Sequence, residues 1–334
     1  MDANKVLSEM QADPSTPAGF EVEVVACRDV ATDVRYLELQ RRDGHPLPAF
    51  EAGAHVDLHL GGLVRQYSLC NGPSDRGVLQ LAVKLEPRSR GGSEAVHKNL
   101  KLGSVLTVTG PRNHFRLVES EAPAVLLAAG IGITPLLAMA RTLRAGRKPF
   151  DLHYFARSEA FAAFHQELLG AGSGERARSY YGLTADRTAE ALRACFDEVA
   201  EGSQVYICGP RPFMDAAIAL AQARVGNANT HYEFFSADPS LAALPQDAFD
   251  VRCAKSGKTV SVPSGVSIAD ALSRIAVKVE VMCEQGVCGT CLTRVISGRP
   301  DHRDSFLTDE ERESGELMLI CCSRSRDPLL VLDI

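Results

Sequence analysis

Four cysteines near the C-terminus have a spacing that suits one-electron chemistry. They follow the pattern C-x4-C-x2-C-x29-C and are Cys283, Cys288, Cys291 and Cys321. Four thiolates with this spacing hold the two irons of a [2Fe–2S] cluster, which accepts and passes on single electrons. Gly286 and Gly289 let the backbone approach the inorganic sulfides and turn N–H groups toward them. We therefore predict a [2Fe–2S] cluster in this segment.

A structural zinc site and unrelated buried cysteines are the alternative interpretations. Zinc ribbons usually have two C-x2-C pairs, and this segment has one. A disulfide scaffold is not expected, because no export signal begins the sequence and 334 residues can bury a core without cross-links. Cys322 follows Cys321 directly, and spacing alone does not decide which of the two is the fourth ligand.

Composition and charge limit the classes of function. The formal net charge of −6 argues against a nucleic-acid-binding surface, and no apolar run reaches the about 20 residues of a membrane helix. Ten cysteines without an export signal indicate a reducing compartment, so we expect a cytoplasmic protein. The length of 334 residues predicts two or three domains.

The segment from Phe20 to Leu117 has the pattern of an antiparallel β-barrel. Short alternating runs such as FEVEVVAC, VRYLELQ and LQLAVKLE are separated by Gly, Pro and Asp. Two motifs in this segment suit a flavin: R-Q-Y-S-L at residues 65–69 and R-G-G-S at residues 90–93. An exposed strand would explain the first motif alone, but both motifs in order on one small barrel favour a flavin site.

Each residue type in these motifs has a physical role toward a flavin. The Tyr67 ring can lie against the isoalloxazine, the Ser68 hydroxyl can hydrogen bond near the reactive ring nitrogen, and the Arg65 guanidinium can bind a phosphate. Gly91, Gly92 and Ser93 can open a helix whose first N–H groups bind the same phosphate.

The middle of the chain has the pattern of a dinucleotide-binding α/β unit. The apolar run Ala124–Ala129 predicts a buried parallel strand, followed by A-G-I-G-I-T-P and an apolar-periodic helix. Gly130 and Gly132 are present, but Pro135 occupies the third glycine position of G-x-G-x-x-G, so the fingerprint alone is weak. Later strands alternate with helices, which predicts a Rossmann-like parallel sheet. One strand ends at C-G-P, residues 208–210, where such sheets bind ligands, although Cys208 also suits a buried apolar position.

These patterns predict an order of domains along the chain. We expect a flexible tail at 1–19, a flavin-binding β-barrel at 20–117, a nucleotide-binding domain at 118–235, a linker at 236–247 and an iron–sulfur domain at 248–334.

Taken in order, these motifs resemble the phthalate dioxygenase reductase family, which belongs to the ferredoxin-NADP reductase superfamily and carries a C-terminal plant-type ferredoxin domain. The resemblance is also close to vanillate O-demethylase reductase subunits. It extends from about residue 20 to the last residue. The segments that carry it are RQYSLCN, RGGS, GPRNHF, GIGITP, CGP, HYEFF, the cysteine loop, DHRDSFLTDEE and LVLDI.

The resemblance implies a β-grasp fold for the third domain, FMN rather than FAD, NADH as donor and a Rieske-type oxygenase as acceptor. It assigns to FMN the residues Arg65, Gln66, Tyr67, Ser68, Val83, Lys84, Gly91, Gly92, Ser93, Thr134 and Phe235. Ser68, Thr134 and Phe235, with Glu233 nearby, would lie at the flavin edge. It assigns to NAD the residues Gly130, Gly132, Thr134, Pro135, Cys208, Gly209 and Pro210. Relatives carry C-V-S-R where this chain has C-C-S-R, which makes Cys321 the fourth iron ligand.

The sequence also predicts a partner. No C-x-H pair of a Rieske centre is present, so we expect the oxygen chemistry to lie on another polypeptide that docks transiently on a monomeric reductase. None of the nine histidines falls in a convincing catalytic cluster. The other candidate functions are an FAD-dependent stand-alone reductase and, from a different class, a passive ferredoxin-like carrier or a zinc-bearing interaction module. After the second strand of the nucleotide unit, Arg157–Ser158 suits the 2′-phosphate of NADPH, and Glu159 suits the ribose of NADH.

Overall fold

The computed structural model describes residues 19–87, 89–169, 175–242, 244 and 247–334. These residues divide into two compact units, one that ends at Phe235 and one that begins at Ser236. The predicted tail at 1–19 lies outside the described residues except for Gly19, and three positions of the predicted linker, 243, 245 and 246, also lie outside them. Within the described ranges, no helix combines the length and apolar composition needed to cross a membrane.

An antiparallel barrel begins the first unit. Its elements are β1 (Phe20–Ala31), β2 (Val34–Arg41), β3 (His55–Leu60), β4 (Leu63–Ser68), β5 (Leu79–Lys84), α1 (Gly92–Asn99) and β6 (Val105–Arg112). The strand order is β4-β3-β6-β1-β2-β5, and a bridge between Leu69 and Leu81 connects the end of β4 to β5. Alternating side chains such as Val22, Val24 and Leu37 fill the interior, as the period of two in the sequence requires.

A parallel sheet follows in the same unit. Its elements are β7 (Ala124–Ala129), α2 (Ile133–Ala145), β8 (Phe150–Ala156), α3 (His165–Leu169), β9 (Glu175–Tyr181), α4 (Ala185–Asp197), β10 (Gln204–Cys208), α5 (Arg211–Val225) and β11 (Thr230–Glu233). The order β11-β10-β7-β8-β9 places β7 at the centre, where every residue of the strand is buried. A single apolar core contains Ala82 and Phe115 of the barrel region together with Leu136 of α2, so barrel and sheet form one packed body.

The second unit is a mixed sheet with one helix packed on it. Its elements are α6 (Pro239–Ala242), β12 (Phe249–Cys253), β13 (Thr259–Val262), α7 (Ile268–Arg274), β14 (Leu292–Ser297), β15 (Pro300–Asp301), α8 (Asp309–Ser314), β16 (Leu317–Leu319), β17 (Arg324–Ser325) and β18 (Leu329–Leu332). The order is β13-β12-β18-β14-β16, in which β12 and β18 are parallel and the other pairs antiparallel. This is a β-grasp arrangement, and the predicted fold class is confirmed in all three parts.

Candidate functional site

The two predicted flavin motifs lie against each other on the barrel. Arg65, on β4, donates from Nη2 to the carbonyl oxygen of Arg90 at 2.9 Å. A β-carbon at Gly92 would lie 2.5 Å from Arg65 Cγ, so only glycine allows the turn to pack on this side chain. Gly91 has φ 89°, in the left-handed region that favours glycine, and it precedes the first residue of α1. The fold therefore places a guanidinium beside a helix N-terminus.

A serine that the sequence reasoning did not single out organises this helix start. The Ser89 hydroxyl accepts from the N–H groups of Gly91 at 3.1 Å and Glu94 at 3.4 Å. Ser93 donates its hydroxyl to Ser89 Oγ at 3.0 Å and accepts from the N–H of Glu86 at 3.1 Å. The N-terminal N–H groups of a helix, next to an arginine, suit a phosphate. In the sequence, Ser89 directly precedes the R-G-G-S motif, and this position was the available indication of its role.

The other predicted flavin residues lie at the ends of β4 and β5. Tyr67 is half-buried, and burial raises the pKa of its phenol to about 12, which keeps the ring neutral. Ser68 is buried at the end of the same strand. Val83 packs in the barrel core and its carbonyl accepts from His97 Nε2 at 2.8 Å, while Lys84 Nζ pairs with a Glu86 oxygen at 2.7 Å.

Gln66 contacts the buried ring of His55, and the exposed His114 lies beside that ring. Gln66 Nε2 lies 3.1 Å from His55 Nε2, and the His55 ring lies 5.5 Å, centroid to centroid, from the His114 ring. Burial, followed by the His114 and Arg112 charges, lowers the pKa of His55 to about 3, so its ring is neutral near neutral pH. The alternation H-V-D-L-H in β3 was the available signal that His55 and Asp57 share one polar face.

The predicted nucleotide residues come together at the carboxyl end of the parallel sheet. Residues 130–132 form a 3-10 turn after β7, and α2 begins directly behind it. A β-carbon at Gly209 would lie 2.8 Å from the β-carbon of Ala129, so the C-G-P turn packs on the end of β7. Pro210 lies directly before α5, and Pro135 lies in the first turn of α2. The turns at 130–132 and 208–210 thus lie side by side at the carboxyl end of the sheet and present backbone there, as expected for a dinucleotide site.

Thr134, predicted to lie at the flavin edge, is buried and uses its hydroxyl within the turn. It is buried at 2 % exposure, and Oγ1 donates to the carbonyl oxygen of Ile131 at 3.0 Å. This hydrogen bond fixes the turn that contains Gly130 and Gly132. A role at the flavin edge stays a prediction for this residue.

An acidic side chain lies at the same sheet edge beside Cys208. Cys208 on β10 pairs with Glu233 on β11, and Glu233 Oε2 is buried without a hydrogen-bond partner among the described residues. Burial raises the pKa of Glu233 to about 8, and burial together with this carboxyl raises the pKa of the Cys208 thiol. Two residues further on, Phe235 is exposed at 39 %.

The cysteine loop has the backbone that its glycines predict. Cys288, Cys291 and Cys321 are buried and Cys283 is half-buried. Gly286 and Gly289 have positive φ values of 66° and 74°. The N–H of Gln285 points to Cys283 Sγ at 3.3 Å, and Cys288 Sγ donates to Thr290 Oγ1 at 3.3 Å.

The donor set fits a binuclear cluster, by two observations. A β-carbon at Gly286 would lie 2.5 Å from Cys322 Sγ and 2.8 Å from Asp304 Cα, so the loop closes only with glycine there. The neighbouring Cys283 thiol, followed by burial, raises the pKa of Cys288, and the Cys321 thiol raises that of Cys322. A [2Fe–2S] cluster divides its four thiolates between two irons.

Comparisons with known proteins agree with this division of sites. Residues 21–117 match the family of oxidoreductase FAD-binding domains, and residues 251–326 match the family of 2Fe–2S iron–sulfur cluster binding domains.

Full-length relatives are also similar. Vanillate O-demethylase oxidoreductase of Pseudomonas sp. (strain HR199 / DSM 7063) is 43% identical over 94% of this chain and 100% of that protein. Phenoxybenzoate dioxygenase subunit beta of Ectopseudomonas oleovorans is 42% identical over 96% of this chain and 99% of that protein. The solved structure of phthalate dioxygenase reductase, described as modular for electron transfer from pyridine nucleotides to [2Fe–2S], has a TM-score of 0.73. It is 34% identical over 97% of this chain and 100% of that chain.

Proposed function

The chain belongs to the phthalate dioxygenase reductase family, and we propose that it is the reductase component of a Rieske-type oxygenase system, of the aromatic-ring or O-demethylating kind. Electrons pass from NADH through FMN to a [2Fe–2S] cluster and on to a separate terminal oxygenase. The observation that supports this proposal is that one chain contains, in order, Arg65 against the R-G-G-S turn, the turns at 130–132 and 208–210 at the carboxyl end of the parallel sheet, and the cysteine loop.

The residues have distinct tasks in this function. Bound FMN supplies the conversion of a hydride into single electrons, and a [2Fe–2S] cluster supplies a one-electron carrier. Arg65 and the first turn of α1 bind the phosphate, and Tyr67 and Ser68 orient the ring system. Gly130, Gly132, Pro135 and the turn at 208–210 bind the dinucleotide. Thr134 and Phe235 border the flavin, and Cys283, Cys288, Cys291 and Cys321 hold the irons.

We extend the proposal to domain boundaries and setting. The functional domains are 20–117, 118–235 and 248–334, joined by a linker at 236–247, and the protein is a cytoplasmic monomer that meets its oxygenase transiently. Sedimentation of the pure protein tests the monomer.

An anaerobic visible spectrum before and after NADH addition tests the chain of carriers. We expect flavin absorption near about 450 nm with a broad red iron–sulfur shoulder, and we expect NADH to bleach both. A colourless protein that binds zinc would contradict the proposal. Addition of a purified Rieske-type oxygenase and its substrate should then give product only when both proteins are present.

An FAD-dependent stand-alone NAD(P)H:acceptor reductase is the second candidate. It is favoured by one observation, since the family that matches residues 21–117 is described by FAD binding. Against it, the sequence after the barrel has no additional aromatic segment to support an adenine. Heat release of the flavin, followed by its mass, separates FMN from FAD. Comparison of kcat/KM for NADH and NADPH tests the donor.

A further inference from the structure

One arginine joins the flavin-bearing barrel to the nucleotide-binding sheet. Arg141, on α2, makes a bidentate pair with Glu167 of α3, at 2.7 and 2.8 Å. The same guanidinium donates from Nη1 to the carbonyl oxygen of Cys70 at 2.8 Å and to Gln80 Oε1 at 2.7 Å, and both of these acceptors belong to the barrel. A single planar group therefore bridges three segments.

Helix α2 and the two barrel segments at Cys70 and Gln80 each lead to a predicted cofactor residue. Arg141 lies seven residues after Thr134, so the two share one face of α2, about 10 Å apart along its axis. Cys70 lies two residues after Ser68, about 7 Å along the chain. Gln80 lies in β5, which ends at Lys84.

The barrel side of this bridge is itself well ordered by hydrogen bonds. Asn71 is 1 % exposed, and its Nδ2 donates to the carbonyl oxygens of Asp75 at 2.8 Å and Val78 at 2.9 Å. Its Oδ1 accepts from the N–H of Gln80 at 3.0 Å. Arg141 thus binds a turn whose own hydrogen bonds set its shape, and its contacts add a directional polar link to the apolar packing of α2 on the barrel.

We propose that Arg141 is a positioning residue, which sets the separation between the dinucleotide turn at the start of α2 and the flavin-binding end of β4. The inference rests on the proposed function. Hydride transfer requires reacting atoms about 3–3.5 Å apart, and a shift of 1 Å far from the chemistry can reduce the rate about 100-fold. Lysine cannot reproduce the role, because one ammonium lacks the planar fork that reaches Glu167 and the barrel together.

A cleft beside the guanidinium makes a chemical-rescue experiment possible. It has a volume of about 470 Å³ and is lined by Asn71, Gly72, Arg141 and Thr142 among others. Guanidinium ion at a non-denaturing concentration can enter it when the side chain is removed. The experiment measures anaerobic flavin reduction by NADH in a stopped-flow instrument, with FMN-loaded full-length wild type, Arg141→Ala and Arg141→Lys. Sodium chloride at equal ionic strength is the control for guanidinium.

We expect the limiting rate of flavin reduction to fall about 10- to 100-fold in Arg141→Ala, with FMN content and the Kd for NADH unchanged. Guanidinium, but not sodium chloride, should restore part of this rate. Hydrogen exchange should increase in residues 69–82 and 133–145 of the variant. If Arg141→Ala does not fold, Arg141→Lys gives the answer through the same limiting rate.

The proposal would be overturned if folded Arg141→Ala had the same limiting rate of flavin reduction as wild type. If only the melting temperature of the variant fell, the role of Arg141 would be structural. A loss confined to FMN or NADH binding would also overturn it. Wild-type protein that NADH does not reduce would instead contradict the proposed function.

Discussion

The backbone at Cys208 leaves no room for a side chain at Gly132. A β-carbon on Gly132 would lie 2.2 Å from the carbonyl oxygen of Cys208 and 2.4 Å from its carbonyl carbon. Both positions belong to predicted nucleotide-binding turns, so this contact sets the spacing of the two turns directly.

Gly132→Ala should therefore separate the turns and weaken nucleotide binding. We expect the KM for NADH to rise about 10- to 100-fold, while FMN remains bound because its proposed ligands lie mainly on the barrel. Steady-state kinetics and flavin content measure the two effects. Gly77→Ala is the control, because its β-carbon would have no neighbour closer than 3.9 Å. An unchanged KM in Gly132→Ala would show that the turns do not bind the nucleotide together.

Glu233 should make stability fall as the pH rises from 6.5 to 8. Its folded pKa of about 8 exceeds the ordinary value of 4.5 because the carboxyl is buried, so in this window the folded state holds a proton that the unfolded state has lost. The contribution of Glu233 to the pH dependence of the free energy of unfolding reaches about 1.4 kcal/mol per pH unit. The lowered pKa values of His55 and His153 act in the opposite direction up to about pH 7.5, because ordinary histidines of the unfolded state are still partly protonated there. The contribution of Glu233 is therefore measured as a difference between two proteins.

Urea unfolding of wild type and Glu233→Gln between pH 6.5 and 8 measures this effect. We expect the slope of wild type to be more negative than that of the glutamine variant, by up to about 1.4 kcal/mol per pH unit. Exposed Glu201→Gln serves as the control and should keep the wild-type slope. Equal slopes in wild type and Glu233→Gln would mean that another group titrates in this window.

Much of the fold could be predicted from local hydrophobic patterns in the sequence, because burial of a strand or helix imposes such a pattern. The apolar run Ala124–Ala129 has the same bounds as β7, because a central parallel strand is buried on both faces. Strand β9, Glu175–Tyr181, was not predicted. It is the outermost strand of the sheet and reads E-R-A-R-S-Y-Y, so it lacks an apolar run.

The candidate site was predicted where a motif is contiguous and missed where it depends on tertiary packing. The R-G-G-S turn was expected to open a helix, and α1 begins there. The Gln66–His55 contact joins two strands, and the Arg141 bridge joins a helix to a distant turn. Such contacts have no signature in a single sequence, because each residue type has an ordinary surface or core role by itself.

Cys321 and Cys322 should differ sharply in their effect on the cluster. Family spacing makes Cys321 the fourth ligand, whereas Cys322 Sγ packs against Gly286 and Asp304 on the loop. We expect Cys321→Ser to lose iron, acid-labile sulfide and red absorption, and Cys322→Ser to keep them. FMN content should be unchanged in both variants. A cluster retained in Cys321→Ser but absent from the double variant would show that Cys322 replaces the ligand.

Glu284 should influence docking of the oxygenase. Glu284 is exposed and lies between Cys283 and the buried Gly286. Its φ of 55° is as strained for lysine as for glutamate. Glu284→Lys should therefore change the charge with little change in the backbone of the loop. The chain carries a net charge of −6, so we expect a basic partner surface and slower electron transfer to the oxygenase in the variant. The difference should shrink as salt is raised, because exposed charges are screened. Stopped-flow oxidation of the reduced protein by a purified Rieske-type oxygenase measures both effects. Asp250→Lys is the control, because it makes the same charge change at an exposed position of strand β12. Equal rates and equal salt dependence for Glu284→Lys and wild type would place the docking surface elsewhere.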